Sequence, residues 1–191
     1  MPDAPLGQTP SQTVGPFFGY ALPYERGAEI AAPWHPHAIR LHGTVFDGAG
    51  DPIPDAIVEI WHADAAGRPI TELGSLERDG FTVTGFGRAA VSRAGRYTFS
   101  TIKPGAMRAD AAPYVLVTVF ARGLTHHLFT RAYFGDEEER NARDPFLATV
   151  DPGRRPTLIA APDAQNSYRF DIRLQGDGET VFLDFETERH G

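Results

Sequence analysis

Seven histidines are the first residues in this sequence that could do chemistry, because imidazole nitrogens bind transition metals and exchange protons near neutral pH. His126 and His127 are adjacent, so in an extended strand their side chains point to opposite faces and cannot hold one ion. His35 and His37 could face the same way, but the proline-rich segment around them offers no further histidine and no carboxylate nearby. We therefore favour a surface or interface role for His35 and His37 over a metal site.

His42 and His62 lie in predicted strands, where we expect hydrogen bonds to satisfy their ring nitrogens rather than a role as catalytic bases. No nucleophile elbow, phosphate-binding loop or dinucleotide fingerprint occurs in the sequence, and Gly85-Phe-Gly87 lacks both the rest of that fingerprint and a following helix. The absence of cysteine excludes disulfides and thiolate chemistry.

Arg131 is the most informative charged residue. It is flanked at two-residue spacing by Phe129 and Tyr133, so in a strand its guanidinium lies on an aromatic face, where it could stack on a ring and still present its fork to a carboxylate. This interpretation predicts an aromatic or organic acid as the ligand. The alternative is a structural ion pair with one of the acids at 136–139, and the residues alone leave both open.

The element that must position Arg131 is a hairpin within residues 114–134, formed by two extended runs that meet at Arg122-Gly123. In the first run Val115, Val117 and Val119 share one face, and the opposite face is also mostly apolar, which predicts a buried central strand. The second run places His127, Phe129, Arg131 and Tyr133 together on one side. Any chemical site is expected near that side.

Further strands are predicted at short intervals, and their spacing favours an all-β fold, a two-sheet β-sandwich with at most short helices. One helix is predicted at 136–143, with Asp136 as its N-cap and Pro145 ending it. Residues 1–38 are rich in proline, glycine and aromatics, and we expect an arm that packs on the 39–191 domain or on a partner subunit. The remaining predicted strands are 39–46, 56–62, 96–102, 168–174 and 180–185.

Composition narrows the classes of function. A chain of 191 residues suits one domain, and the 20 glycines and 16 prolines favour turns over long helices. A net charge of −7 and a pI near 5.4 argue against nucleic-acid or anionic-membrane partners. The apolar runs are far shorter than a membrane helix, and the start of the chain is unlike a signal peptide, so we expect a cytoplasmic protein.

Four segments resemble the intradiol ring-cleaving dioxygenases. Residues 43–67 and 95–105 match the core of that family, but transthyretin-like sandwich modules share part of this pattern. The motif Thr9-Pro-Ser-Gln-Thr-Val-Gly-Pro-Phe-Phe18 and residues 168–185 are more specific, and they look like the metal-free alpha chains of two-chain members. The resemblance covers about residues 9–185.

The resemblance implies where iron ligands would lie. The family's metal-bearing chain holds Fe(III) with two tyrosines and two histidines. Here residues 63–96 contain no tyrosine or histidine, Met107 occupies the second tyrosine position, and Tyr114 and Leu116 occupy the histidine positions. A thioether or an isobutyl group cannot hold a hard ferric ion. The resemblance thus implies that this chain binds no metal and that a homologous beta chain carries the Fe(III).

The implied activity is the O₂-dependent cleavage of 3,4-dihydroxybenzoate to 3-carboxy-cis,cis-muconate, a step of the bacterial β-ketoadipate route, by a hetero-oligomer of the two chains. By the same resemblance Thr13, Gly15 and Pro16 line the substrate pocket, and Arg131 lies at the substrate's carboxylate end. From the residues alone, Gly15-Pro16 could instead be an ordinary turn. Two alternatives stay open: a non-catalytic transthyretin-like β-sandwich binding module, which leaves the Thr9 to Phe18 motif unexplained, and a self-sufficient dioxygenase with other ligands.

Overall fold

The computed structural model describes Pro10, residues 12–72 and residues 77–184. Strands dominate these ranges, and the α-helices in them have five residues or fewer, as the sequence predicts. None of these described helices is long and apolar enough to cross a membrane. The elements are β1 (Ala38–Phe46), β2 (Ile57–Trp61), β3 (Phe86–Ala90), β4 (Arg96–Ile102), β5 (Tyr114–Phe120), β6 (Leu128–Phe134), β7 (Ile159–Ala164), β8 (Ser167–Arg169), β9 (Ile172–Arg173), α1 (Phe18–Ala21), α2 (Glu138–Asn141) and α3 (Pro145–Thr149), with a 3₁₀ turn at Arg155–Leu158.

The strands form one continuous path, in the order β3-β2-β5-β6-β7-β8-β1-β4, with β9 pairing with β1. The predicted separation into two sheets is not confirmed. The strands stay in one path because of β7. The first residues of β7 pair with β6 in parallel, and its later residues pair with β8 in antiparallel fashion. This one short strand joins what would otherwise be the edges of two sheets.

The N-terminal segment nearly closes this path into a barrel. Residues 27–31 lie between β3 and β4, which are the two ends of the path. The amide of Arg88 donates to the carbonyl of Gly27, and the amide of Ser100 donates to the carbonyl of Ala28. The segment therefore covers backbone groups on two strand edges that would otherwise be open to pairing with other chains.

The predicted hairpin is present as β5 and β6, with the connection at 121–127. Gly123 has φ +93, a left-handed conformation that glycine adopts without strain. Val115, Val117 and Val119 are fully buried, whereas the other face of β5 is only half-buried. The buried face joins the main core, which also contains Leu41, Val45, Val58, Ile60, Phe99, Ala132, Phe134, Phe170 and Ile172.

The helix predicted at 136–143 is shorter and is not capped by Asp136. Helix α2 begins after Glu137, and the Asp136 carboxylate instead accepts hydrogen bonds from Lys103 and from the Tyr168 hydroxyl. Pro145 was predicted to stop a helix, and that prediction is wrong because Pro145 begins one. Asp144 caps α3, and proline suits the first helical position because its amide needs no partner there.

The C-terminal strand predictions also need correction. The run 168–174 splits into β8 and β9, because the amide of Thr44 is taken by the side chain of Asp171 instead of a backbone carbonyl. In the described part of 180–185 only Leu183 pairs, in an isolated bridge with Phe129, and residue 185 lies outside the described residues.

Two strands were missed. The glycine of Phe86–Ala90 and the proline of Ile159–Ala164 both lower the strand signal. Gly87 is glycine because an added Cβ would lie 2.7 Å from the Ile30 side chain.

A Gly43→Ala variant should test the close approach between β1 and the segment at Phe170. An added Cβ would lie 1.9 Å from the Phe170 carbonyl oxygen, so the backbone would have to separate. We expect the free energy of unfolding to fall by about 3 kcal/mol, as overpacking costs elsewhere. Urea denaturation measures this. The control is Gly19→Ala in α1, whose added Cβ meets nothing within 4 Å, so stability should not fall and should rise by up to about 1 kcal/mol because alanine favours a helix over glycine.

Candidate functional site

The guanidinium of Arg131 lies between two aromatic rings. Its Cζ atom is 4.4 Å from the centroid of the Tyr114 ring and 4.6 Å from that of Phe146. Residue pairing across β5 and β6 sets this geometry, because Leu116 is opposite Arg131 and Tyr114 is opposite Tyr133. Tyr114 and Arg131 thus share the outer face of the hairpin. The strand spacing alone suggested Phe129 and Tyr133 as the aromatic neighbours of Arg131, but the rings that stack on its guanidinium are those of Tyr114 and Phe146.

Hydrogen bonds fix the guanidinium from one side. Nη1 of Arg131 donates to the Tyr133 hydroxyl at 3.2 Å, and that hydroxyl donates to Oδ1 of Asp144 at 3.2 Å. Burial raises the pKa of Tyr133 above its usual range, although the neighbouring guanidinium opposes this, so the hydroxyl keeps its proton. The buried Nε of Arg131 has no hydrogen-bond acceptor among the residues that the structure describes.

The sequence left open whether Arg131 forms an ion pair with one of the acids at 136–139. The ion pairs that these acids form in the structure bear on that alternative. Asp136 and Glu137 both pair with Lys103, and Arg140 lies 3.6 Å from Glu137. Lys103 rather than Arg131 is therefore the cation that these two carboxylates hold.

A cavity of about 420 Å³ opens beside Arg131. Its walls are mostly apolar and come from α3, from the segment after it and from the segment 181–184, which is held to β6 by the Thr130 hydroxyl donating to the Val181 carbonyl. Two arginines and two aspartates provide the charge, so the lining as a whole has no excess of either sign. Arg154 is one of them and already contacts Glu179. The lining comprises Arg131, Phe146, Thr149, Val150, Asp151, Arg154, Val181, Phe182, Leu183 and Asp184.

The residues at the implied ligand positions do not fit iron. The Tyr114 hydroxyl lies 4.0 Å from the sulfur of Met107, and the Tyr114 ring faces the Arg131 cation. A ferric ion placed against Tyr114 would meet a fixed positive charge a few ångströms away. The described parts of the chain also contain no group of three or more His, Cys, Asp or Glu that could hold a metal ion.

Thr13, Gly15 and Pro16 lie elsewhere in this chain. The Thr13 hydroxyl accepts a hydrogen bond from the amide of Gly123, at the connection between β5 and β6. Gly15 has φ +72, a left-handed conformation that glycine adopts without strain. None of the three belongs to the lining of the cavity at Arg131. The structure thus separates the four predicted pocket residues into an arm group and a cavity group.

The histidines behave largely as the spacing indicated. Nε2 of His42 pairs with Asp163 at 2.8 Å, and both ring nitrogens of buried His62 are hydrogen-bonded, to the Ala63 carbonyl and the Thr101 hydroxyl. The prediction of satisfied ring nitrogens is confirmed for His62, which lies one residue after β2, and for Nε2 of His42. Nδ1 of His35 accepts from the amide of His37, so this nitrogen is already engaged. The ring of His127 packs edge-on against Phe129, with a centroid distance of 4.6 Å.

Sequence reasoning missed Phe146 and Asp144. The signal was present in Asp144-Pro145, because an aspartate followed by proline is typical of a helix start, and a helix starting there brings Phe146 to the site. Phe182, another part of the cavity wall, lies in the run 180–185 that the sequence predicts as a strand, and that pattern does not connect it with Arg131.

Comparison with known proteins places these features in a family. A sequence profile described as Dioxygenase matches residues 26–176. The protocatechuate 3,4-dioxygenase alpha chain of Burkholderia cepacia is 44% identical over 195 aligned positions, which cover 94% of this chain and 98% of that protein. The chain belongs to the intradiol dioxygenase family. Its likeness to an alpha chain extends over nearly the full length of both proteins.

Two further proteins are similar to this chain at lower sequence identity. The protocatechuate 3,4-dioxygenase beta chain of the same species is 31% identical, and the match covers 80% of this chain and 64% of that protein. The dioxygenase domain of a dioxygenase and carbohydrate-binding fusion protein from Streptomyces sp. SirexAA-E has a TM-score of 0.59 at 24% identity, covering 89% of this chain and 99% of that one. The latter similarity is one of fold alone.

The pH dependence of stability should depend on His62. Burial lowers the pKa of His62 below its ordinary value of 6.5, with only partial opposition from its bond to Ala63. The unfolded chain therefore binds a proton near pH 6.5 that the folded chain does not, so stability is lost as the pH falls below 6.5. Urea midpoints measured from pH 8 to 5 should fall, and a His62→Gln variant should fall less over the same range. An equal fall in both proteins would contradict this.

Proposed function

We propose that this chain is the alpha subunit of a protocatechuate 3,4-dioxygenase. In this proposal a homologous beta chain holds the Fe(III) required for O₂-dependent ring cleavage, and the present chain completes the substrate pocket of the pair. The substrate is 3,4-dihydroxybenzoate and the product 3-carboxy-cis,cis-muconate, which suits a cytoplasmic step in the breakdown of aromatic acids. The likeness to alpha chains over nearly the whole length supports the choice of subunit.

The observation that carries the proposal is the position of the Arg131 cation. It faces Tyr114 and pairs with Leu116, at the strand positions that bear metal ligands in the iron-holding chains of the family. A subunit that kept the fold but replaced the metal environment with a guanidinium cannot supply the iron. It can still supply a group that binds an anionic substrate.

The role proposed for Arg131 is recognition of the substrate carboxylate. The rings of Tyr114 and Phe146 hold the guanidinium plane, and the apolar wall beside it suits an aromatic ring. Since the cavity lining is balanced in charge, recognition would rest on the guanidinium fork of Arg131 rather than on a general positive field.

The role proposed for Thr13, Gly15 and Pro16 is to line the substrate pocket that this chain shares with the beta chain. Thr13 and Pro16 are exposed, and the adjacent side chains of Phe17 and Tyr20 are 79% and 87% exposed. Exposed aromatics of this size are typical anchors of protein interfaces. An arm fixed to the β5–β6 connection through Thr13, with Phe17 and Tyr20 exposed, is suited to lie across a partner subunit.

Co-expression with a beta chain and an Arg131→Ala variant test the proposal together. The pair should turn over 3,4-dihydroxybenzoate, whereas this chain alone should not. In the pair, Arg131→Ala should raise KM about 10- to 100-fold, the range expected when a charge-assisted hydrogen bond is lost. Steady-state kinetics of O₂ uptake measures both effects.

The matched control is Arg173→Ala. Arg173 also stacks on an aromatic ring, 5.0 Å from the centroid of Phe46, but is absent from the cavity lining, so its loss should leave KM unchanged. Turnover by the isolated chain would contradict the subunit assignment. An unchanged KM in Arg131→Ala would remove the proposed role of Arg131 and favour a binding module that kept only the scaffold.

A further inference from the structure

Asp144 is buried, with only 2% of its surface exposed, and its carboxylate accepts four hydrogen bonds. Oδ1 accepts from the amides of Phe146 and Leu147 and from the Tyr133 hydroxyl, while Oδ2 accepts from the amide of Ala112 at 2.9 Å. Capping of α3 explains only the first two of these bonds. The other two join Asp144 to β6 and to the segment just before β5.

Each of these bonds holds in place a residue or element that contacts Arg131. The cap fixes the first turn of α3, which carries Phe146 over the guanidinium. The bond to Tyr133 orients the hydroxyl that accepts from Nη1 of Arg131. The bond to Ala112 fixes the chain two residues before Tyr114, the ring on the opposite side of the guanidinium. One carboxylate therefore connects all three contacts of Arg131, although it does not itself touch the cavity.

We propose that Asp144 is a positioning residue that sets the orientation of Arg131 for carboxylate recognition. This inference rests on the proposed function, because it presumes that Arg131 meets the substrate carboxylate. Arginine has several rotatable bonds, and its fork is selective for a carboxylate only when its plane is held. Loss of the Asp144 contacts should therefore weaken recognition of the carboxylate while leaving the rest of the substrate's binding unaffected.

Two variants separate this role from simple stabilisation. Asp144→Asn keeps an oxygen for the cap of α3 but turns an amide donor toward the amide of Ala112, so that bond is lost. Tyr133→Phe keeps the ring and removes only the hydroxyl between Arg131 and Asp144. If Asp144→Asn fails to fold, Tyr133→Phe still tests the same connection. The control is Asp171→Asn, which removes a carboxylate that accepts from the amide of Thr44, outside the cavity lining.

The probes are two analogues of the substrate that lack its 3-hydroxyl group, 4-hydroxybenzoate and its neutral counterpart 4-hydroxybenzamide, each assayed as a competitive inhibitor of the co-expressed pair. We expect Asp144→Asn and Tyr133→Phe each to raise the inhibition constant of the carboxylate about tenfold, with the constant of the amide unchanged. KM for 3,4-dihydroxybenzoate should rise in parallel, and kcat should change far less. In an Arg131→Ala background the same substitutions should have no further effect on the carboxylate, since the group that they position is gone.

The outcomes distinguish this inference from the proposed function. If Arg131→Ala weakens binding of 4-hydroxybenzoate but neither Asp144→Asn nor Tyr133→Phe does, the positioning role is wrong and the proposed function stands. Equal effects on both inhibitors, or effects that persist without Arg131, would also show a merely structural role. If Arg131→Ala has no effect on either inhibitor, both the role of Arg131 and the inference about Asp144 fail.

Discussion

A guanidinium held between two aromatic rings is the contact on which the rest of this site depends. Stacking of Arg131 between Tyr114 and Phe146 contributes about 0.5–2 kcal/mol per ring, depending on how much water is excluded. The same contact places a permanent positive charge beside Tyr114, where a ferric ion would be repelled. Under the proposed function, one residue in this position both opposes metal binding beside Tyr114 and provides the group that binds an anionic substrate.

The fold explains how that residue is held. The pairing of β5 with β6 puts Tyr114 and Arg131 on the outer face of the hairpin, while the valines of β5 are buried in the core behind them. Helix α3 and the segment 181–184 then enclose this face. The N-terminal segment has two distinct parts: residues 27–31 nearly close the barrel between β3 and β4, whereas the side chains of Phe17 and Tyr20 are exposed.

The sequence was most informative where local pattern and tertiary packing agree. The strand at 96–102 was predicted with its observed ends, because its alternating side chains face the core on one side and its neighbours are turn residues. The aromatic residues near Arg131 in the sequence identify it as a candidate, but they do not predict which rings stack on its guanidinium. Tyr114 lies on another strand and Phe146 on a helix that follows, so their contact with Arg131 depends on pairing register and on α3 beginning at Pro145. The single strand path was missed because β7, an irregular strand that contains Pro162, joins β6 to β8.

Metal stoichiometry tests the central claim most directly, namely that this chain belongs to an iron-dependent family but leaves the metal to its partner. The chain alone and the co-expressed pair should be purified, supplied with Fe(III), freed of unbound metal and analysed for iron content per chain. We predict no stoichiometric iron in the isolated chain and one iron per pair of chains in the complex, since Met107, Tyr114 and Leu116 cannot form the family's ligand set. Stoichiometric iron in the isolated chain would contradict the account.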